Sequence, residues 1–195
     1  MAAAAAASSS GAGAQPSLIF GKEVNPMNLY RDIGNEAVWS LSTAKPGNGV
    51  EELRDNNIET YWQSDGGQPH LINIQFHKKM SITEIAFYLD YSLDESYTPK
   101  KISIRSGTTF HDLVEVRVVD LHEPSGWVTI PLQNKDAATL RAFFLQVCVV
   151  SMHQNGRDTH VRQAKIFGPR TPIDTCDPNG PQFTTTQMTR FSVLR

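Results

Sequence analysis

Apolar residues in this chain recur at every second position, in short runs separated by turn-forming residues, and this alternation restricts the fold more than any other feature. Ile72, Ile74 and Phe76 share one side of such a run, with Asn73 and Gln75 opposite. The pattern repeats at Thr83, Ile85, Phe87 and Leu89, at Ile102 and Ile104, and at Val114, Val116 and Val118. It returns at Val128, Ile130 and Leu132 and at Ala164 and Ile166. Successive side chains leave a strand on opposite faces, so each run predicts a half-buried strand. Phe143, Leu145, Val147 and Val149 alternate with residues that are also apolar, Ala142, Phe144 and Cys148. That run predicts a central strand covered on both faces. Residues 50–54 predict a single helical turn, ended by Asp55-Asn56-Asn57, and no longer helical period is present. About seven strands without long helices predict an all-β fold, a β-sandwich or jelly roll.

A chain of 195 residues suits one domain with tails. Residues 1–27 read as a flexible lead, opening on an Ala/Ser/Gly run. The domain is placed at 28–168. Residues 169–195 read as an extended tail rich in Pro, Gly, Asn and Thr. The tail closes on Phe191-Ser192-Val193-Leu194-Arg195, which suits either a docking peptide or a strand folded back on the domain. The net charge of -2 argues against a non-specific nucleic-acid binder. No apolar run approaches the ~20 residues that span a bilayer. Cys148 sits in an apolar run and reads as a buried, unreactive thiol, whereas Cys176 sits in the polar tail. No disulfide is expected between such different settings, and the favoured surroundings are reducing and intracellular.

Chemistry concentrates in His153-Gln154-Asn155-Gly156-Arg157-Asp158-Thr159-His160-Val161-Arg162-Gln163, a polar loop hung between two strand-like runs. His153, Asp158 and His160 invite comparison with a metal site or part of a hydrolase triad. Zinc needs three or four ligands with partners behind them, and no matching Cys or His pair occurs elsewhere. There is no Gly-x-Ser-x-Gly elbow, and neither cysteine lies beside a histidine. The loop therefore reads as a recognition loop needing no cofactor. Gly156 is expected to supply a positive φ. Arg157, Asp158 and Arg162 are expected to hold one another, leaving Asn155 and His160 free for directional hydrogen bonds. Asp94-Glu95-Ser96-Tyr97-Thr98-Pro99 reads as a second recognition loop, since adjacent carboxylates rarely converge on one substrate and Tyr97 adds a flat surface.

The stretch from Asp55 to Ser64 suits a turn followed by Trp62, a large apolar body expected to be buried with its indole N–H bonded. Its Thr60-Tyr61-Trp62-Gln63-Ser64 pattern resembles the discoidin family, whose fold is a galactose-binding-domain-like jelly roll. A carbohydrate-binding module is the alternative reading that follows.

Three stretches carry a more specific resemblance. They are Leu53-Arg54-Asp55-Asn56-Asn57-Ile58-Glu59-Thr60-Tyr61-Trp62-Gln63-Ser64-Asp65-Gly66 with Gln68-Pro69-His70, then Asp94 to Pro99 with Lys101-Ile102-Ser103, then His153 to His160 with Arg162-Gln163. Together with Ala37-Val38-Trp39-Ser40-Leu41 and Glu123-Pro124-Ser125-Gly126-Trp127 they resemble the Doc-domain (subunit 10) family of the anaphase-promoting complex, or cyclosome, over about residues 31–167. The resemblance implies a jelly roll that is not itself an enzyme. It implies a co-receptor that works with a β-propeller co-activator on destruction-box degrons, raises processivity, and acts in nucleus and cytoplasm without nucleic acid or membrane. Asp94, Glu95, Ser96, Tyr97, Asn155, Gly156, Arg157, Asp158 and His160 would then face the degron. The ending Leu194-Arg195 would dock into a tetratricopeptide-repeat subunit. An Ile-Arg ending is the usual form, so Leu194 departs mildly from the pattern.

Overall fold

The computed structural model describes residues 18–21, 23, 30–132 and 139–170. Twelve strands are found among them. In chain order they are β1 (Ile19–Gly21), β2 (Tyr30–Asp32), β3 (Ala37–Leu41), β4 (Trp62–Gln63), β5 (His70–Ile82) and β6 (Glu84–Asp90). There follow β7 (Pro99–Gly107), β8 (Val114–Asp120), β9 (Ser125–Pro131), β10 (Leu140–Met152), β11 (His160–Val161) and β12 (Gln163–Pro169). Two short α-helices interrupt them, α1 (Val50–Arg54) and α2 (Tyr91–Asp94), with three single 3-10 turns at Gly34–Glu36, Glu95–Tyr97 and His153–Asn155. One five-stranded sheet runs β1-β9-β6-β12-β2, the other β3-β5-β10-β7-β8, and β11 pairs with β4 apart from both. Each of these pairings is antiparallel. The architecture is the expected jelly-roll β-sandwich.

The alternating runs become the facing inner surfaces. Ile72, Ile74 and Phe76 from β5, with Ile102, Ile104, Leu145 and Val147, pack in one core with Ile85, Phe87, Leu89, Val128, Ile130 and Ile166. β10 lies between β5 and β7, as its two-sided apolar pattern predicts, and Cys148 on it is a buried free thiol. The helical turn also forms where expected. Glu52 accepts the Gly49 N–H at 2.7 Å, which satisfies a donor the first turn of α1 leaves unpaired.

Three expectations are corrected. Ile19–Gly21, assigned to the flexible lead, form β1 and pair with Trp127, Val128 and Thr129 of β9. A three-residue edge strand is too short to show a period. Val114, Val116 and Val118 do not share an inner face, and Val114 is 69% exposed. β8 is an edge strand, and a bulge shifts its register so that Val119 reaches the core instead. Phe143 leaves the inner row of β10 because the register shifts between Ala142 and Phe144. The lead before residue 18 and the tail from 171, with Cys176, Leu194 and Arg195, lie outside the described residues.

Candidate functional site

The three sequence stretches converge on one place. β4 pairs with β11, setting Trp62 against Val161 and Gln63 against His160. The Ser64 amide donates to the Thr159 carbonyl, and the Ser64 hydroxyl accepts from the Thr159 amide. Trp62 is fully buried and its indole N–H donates to the Thr43 carbonyl at 2.9 Å, as expected of a packing residue. Gln163 closes the stretch before it, donating from Nε2 to the Asp55 carboxylate at 2.6 Å and to the carbonyls of Glu52 and Asn57. Further along, Gln68 donates to the Gly156 carbonyl at 3.0 Å, and His70 bonds the Arg157 carbonyl at 2.8 Å. Backbone that would otherwise be loose is thus held from below.

The second loop interlocks with the first from the side. The His153 amide donates to the Thr98 carbonyl, and the Thr159 hydroxyl to the Tyr97 carbonyl. Gly156 packs so closely that a Cβ there would sit 1.8 Å from the Ser96 carbonyl oxygen. Gly156 itself has φ -55, so the expected positive φ is not its reason for being glycine. The left-handed positions are Gln154 at φ 51 and Asn155 at φ 56, with Glu95 at φ 43 across the contact. Backbone held in this region by non-glycine residues costs on the order of 1–3 kcal/mol each and is concentrated at sites that the surrounding structure over-determines.

Beneath both loops lies a buried charged cluster. Arg162 Nε donates to Asp94 Oδ2 and its Nη2 to Asp94 Oδ1, each at 2.9 Å, and its Nη1 donates to the Ile58 carbonyl. His160 Nδ1 lies 3.1 Å from Asp94 Oδ1. The His160 ring is sandwiched, 4.2 Å from the Tyr97 ring and 4.3 Å from the Tyr61 ring, both stacked. Two assignments change as a result. Asp94 and His160, expected to face a ligand, are buried and bonded inside the domain. Arg162, expected to pair with Asp158, pairs with Asp94 instead. The guanidinium fork fits a carboxylate with two parallel bonds, and Asp94 is the carboxylate it meets. Tyr61 was not legible as part of this cluster, since nothing in its local sequence distinguishes it from a turn aromatic.

What remains at the surface is a compact polar face. Glu95, Tyr97, Gln154, Asn155 and Arg157 are exposed, and Ser96, Gly156 and Asp158 are half-buried. His153 lies edge-on to Tyr91, and Gln154 donates to the Tyr91 hydroxyl at 2.9 Å. Among the described residues, no three His, Cys, Asp or Glu side chains gather in a way that could hold a metal ion. The chemistry on offer is directional hydrogen bonding and aromatic contact from a backbone tied down by hydrogen bonds.

Two groups tie this region to pH. Burial pushes the Asp94 carboxyl up, but the bonds from His160 and Arg162 outweigh it and hold it below the ordinary range. Burial, with Lys100 nearby, pushes His153 down. A depressed group stabilises the fold fully above its unfolded value and loses that contribution as pH falls through its folded value. The His153 contribution is therefore complete above about pH 6.5 and declines below it, and that of Asp94 declines only below about pH 3.9. The ring-proton NMR titration of His153 is expected to have its midpoint below 6.5. A midpoint at or above that value would contradict its burial as the neutral form.

The family model of anaphase-promoting complex, subunit 10 (APC10), matches residues 6–193. "Anaphase-promoting complex subunit 10" of Drosophila melanogaster is 59% identical over 143 residues, covering 73% of each chain. That of Homo sapiens is 54% identical over 148 residues, covering 76% of this chain and 80% of its own. Among solved structures, the family 32 CBM from C. perfringens NanJ in complex with galactose superposes with a TM-score of 0.59. It is 12% identical and covers 71% of this chain and 98% of that one, a likeness of fold alone. With its family model matched almost end to end and its interlocked loops built from the stretches that carry the resemblance, the chain belongs to the anaphase-promoting complex subunit 10 family.

Proposed function

We propose that this chain is a non-catalytic substrate co-receptor subunit of the anaphase-promoting complex, an E3 ubiquitin ligase. It helps a β-propeller co-activator hold destruction-box degrons and so raises the processivity of ubiquitination in the cell cycle, in nucleus and cytoplasm. The observation that carries this reading is the rigid polar face made by the 94–98 and 153–160 loops. Its backbone groups bond within the domain, while Glu95, Tyr97, Asn155 and Arg157 stay exposed, with Ser96, Gly156 and Asp158 at their margin. Such a face suits weak bridging. Adding about 1.4 kcal/mol to a degron already held by a co-activator lengthens residence roughly tenfold, which allows more ubiquitin transfers per encounter. A few hydrogen bonds supply that magnitude. Leu194 and Arg195 are proposed to dock on a tetratricopeptide-repeat subunit, as an apolar plug and a guanidinium.

The two parts separate experimentally. Asn155→Ala with Arg157→Ala is expected to shorten ubiquitin chains on a destruction-box substrate while the subunit still enters the complex. Deleting Leu194 and Arg195 is expected to do the reverse, weakening incorporation while leaving thermal unfolding unchanged. Wild-type chain lengths from the loop variant would sink the loop assignment. The alternative, a carbohydrate-binding module, shares the jelly-roll fold with the galactose-bound structure. Loop-dependent binding on a glycan array would favour it.

A further inference from the structure

We infer that Asp94 and Arg162, neither of which reaches the surface, are positioning residues for recognition: through the His160 ring they hold Tyr97 flat and lock the 94–98 loop to the 153–160 loop. This rests on the co-receptor reading above. Asp94 and Arg162 are 6% and 7% exposed, so neither offers its charge to a ligand. Their geometry instead connects three segments. Arg162 grips Asp94 with two nitrogens and the Ile58 carbonyl with the third, joining the end of α2, the junction between β11 and β12, and the turn before Trp62. Asp94 also takes the Nδ1 side of His160, which fixes the plane of that ring about its own axis.

The Tyr97 ring lies on His160 with an interplanar angle of 9°, and Tyr61 covers the other side at 26°. Tyr97 is 38% exposed, the outermost member of the stack. The orientation of an exposed aromatic surface is therefore set by a buried ion pair two layers down. The backbone around Tyr97 is held by the facing loop as well: its carbonyl accepts from the Thr159 hydroxyl, one residue before His160, and the Ser96 carbonyl abuts Gly156. A bidentate Arg–carboxylate pair restricts both partners to one plane, which a single ammonium does not.

The test uses the assembled complex carrying each variant subunit, with a fluorescent destruction-box peptide as probe and amide hydrogen exchange across both loops as the second reading. Asp94→Asn and Arg162→Lys are expected to weaken peptide binding roughly three- to tenfold and to raise exchange in both loops together. His160→Ala is expected to do the same, and His160→Phe, which keeps a flat ring between the tyrosines, to recover most of the binding. Arg162→Lys keeps a charge beside Asp94 and so serves where Asp94→Asn fails to fold. Arg157→Ala, at an exposed side chain whose backbone is not in the left-handed region, is expected to weaken binding with no change in exchange. If Arg162→Lys raises exchange and leaves binding unchanged while Arg157→Ala weakens it, the positioning role is overturned and the co-receptor reading stands. If Arg157→Ala also binds as wild type, the reading beneath it fails. Equal loss in His160→Phe and His160→Ala would overturn the part played by the stack.

Discussion

Gly156→Ala is expected to lower both the thermal stability of the domain and the length of ubiquitin chains built on a destruction-box substrate. The backbone at Gly156, φ -55 and ψ 150, is one that alanine adopts without strain, so the effect is steric alone. A Cβ would lie 1.8 Å from the Ser96 carbonyl oxygen, 2.8 Å from its carbon and 3.3 Å from the His153 carbonyl oxygen. Those are backbone atoms, and they have little room to yield. The Thr98 amide donates to the Glu95 carbonyl, and the Thr98 carbonyl accepts from His153, which pins Ser96 on both sides. One loop must move off the other. Overpacking of this kind costs about 1–3 kcal/mol. For a domain of this size that is a fall in Tm of roughly 2–12 °C. Chain length is expected to fall further than stability alone explains, because the displaced contact lies within the proposed recognition face. Unchanged Tm and unchanged chain length would show that the loops do not meet as described.

Trp62→Ala is expected to cost more stability than any change on the surface of the proposed recognition face. The indole is fully buried in the main core, and its N–H donates to the Thr43 carbonyl. Removing such a side chain leaves a cavity and an unpaired acceptor, worth about 3–5 kcal/mol. Urea unfolding checks this through a lower midpoint at unchanged slope. Trp62→Phe should regain much of the loss, since it refills most of the volume and lacks only the donor. A cost below about 1 kcal/mol would mean that the surroundings collapse onto the space, against the tight packing expected of a core. Function should suffer secondarily. Trp62 pairs with Val161 across β4 and β11, so its loss loosens the strand that begins at His160.

Much of the fold was legible because the period of two is a local property. Ile72, Ile74 and Phe76, or Val128, Ile130 and Leu132, announce an inner face without reference to the rest of the chain, and the structure buries each of them. The failures were also local in cause. Val114 misled because an edge strand leaves one row exposed and a bulge within β8 changes parity. Ile19–Gly21 were missed because three residues carry no measurable period. Of the site, the two loops were identified, but the roles of their residues were less well resolved. Asp94 and His160 read as exposed polar groups because a sequence displays charge and conceals burial. Arg162 was assigned to Asp158, four positions away, whereas its partner Asp94 lies 68 positions back in the chain. Gly156 was correctly singled out, but for its backbone freedom, when the neighbour it makes room for is 60 positions earlier.

Sequence by itself determined the all-β class, the central place of β10, the burial of Trp62 and the two loops on which chemistry concentrates. These follow from side-chain alternation, hydrophobic burial and turn chemistry, which act over a few residues. Tertiary structure alone decided which polar residues face outward and which are braced within. Asp94, Arg162 and His160 became a buried scaffold for Tyr97 because the pairing of β4 with β11 and the close approach at Gly156 bring distant segments within hydrogen-bonding range. A hydrogen bond or a steric contact depends on positions to within a few tenths of an ångström, and only the folded chain sets those.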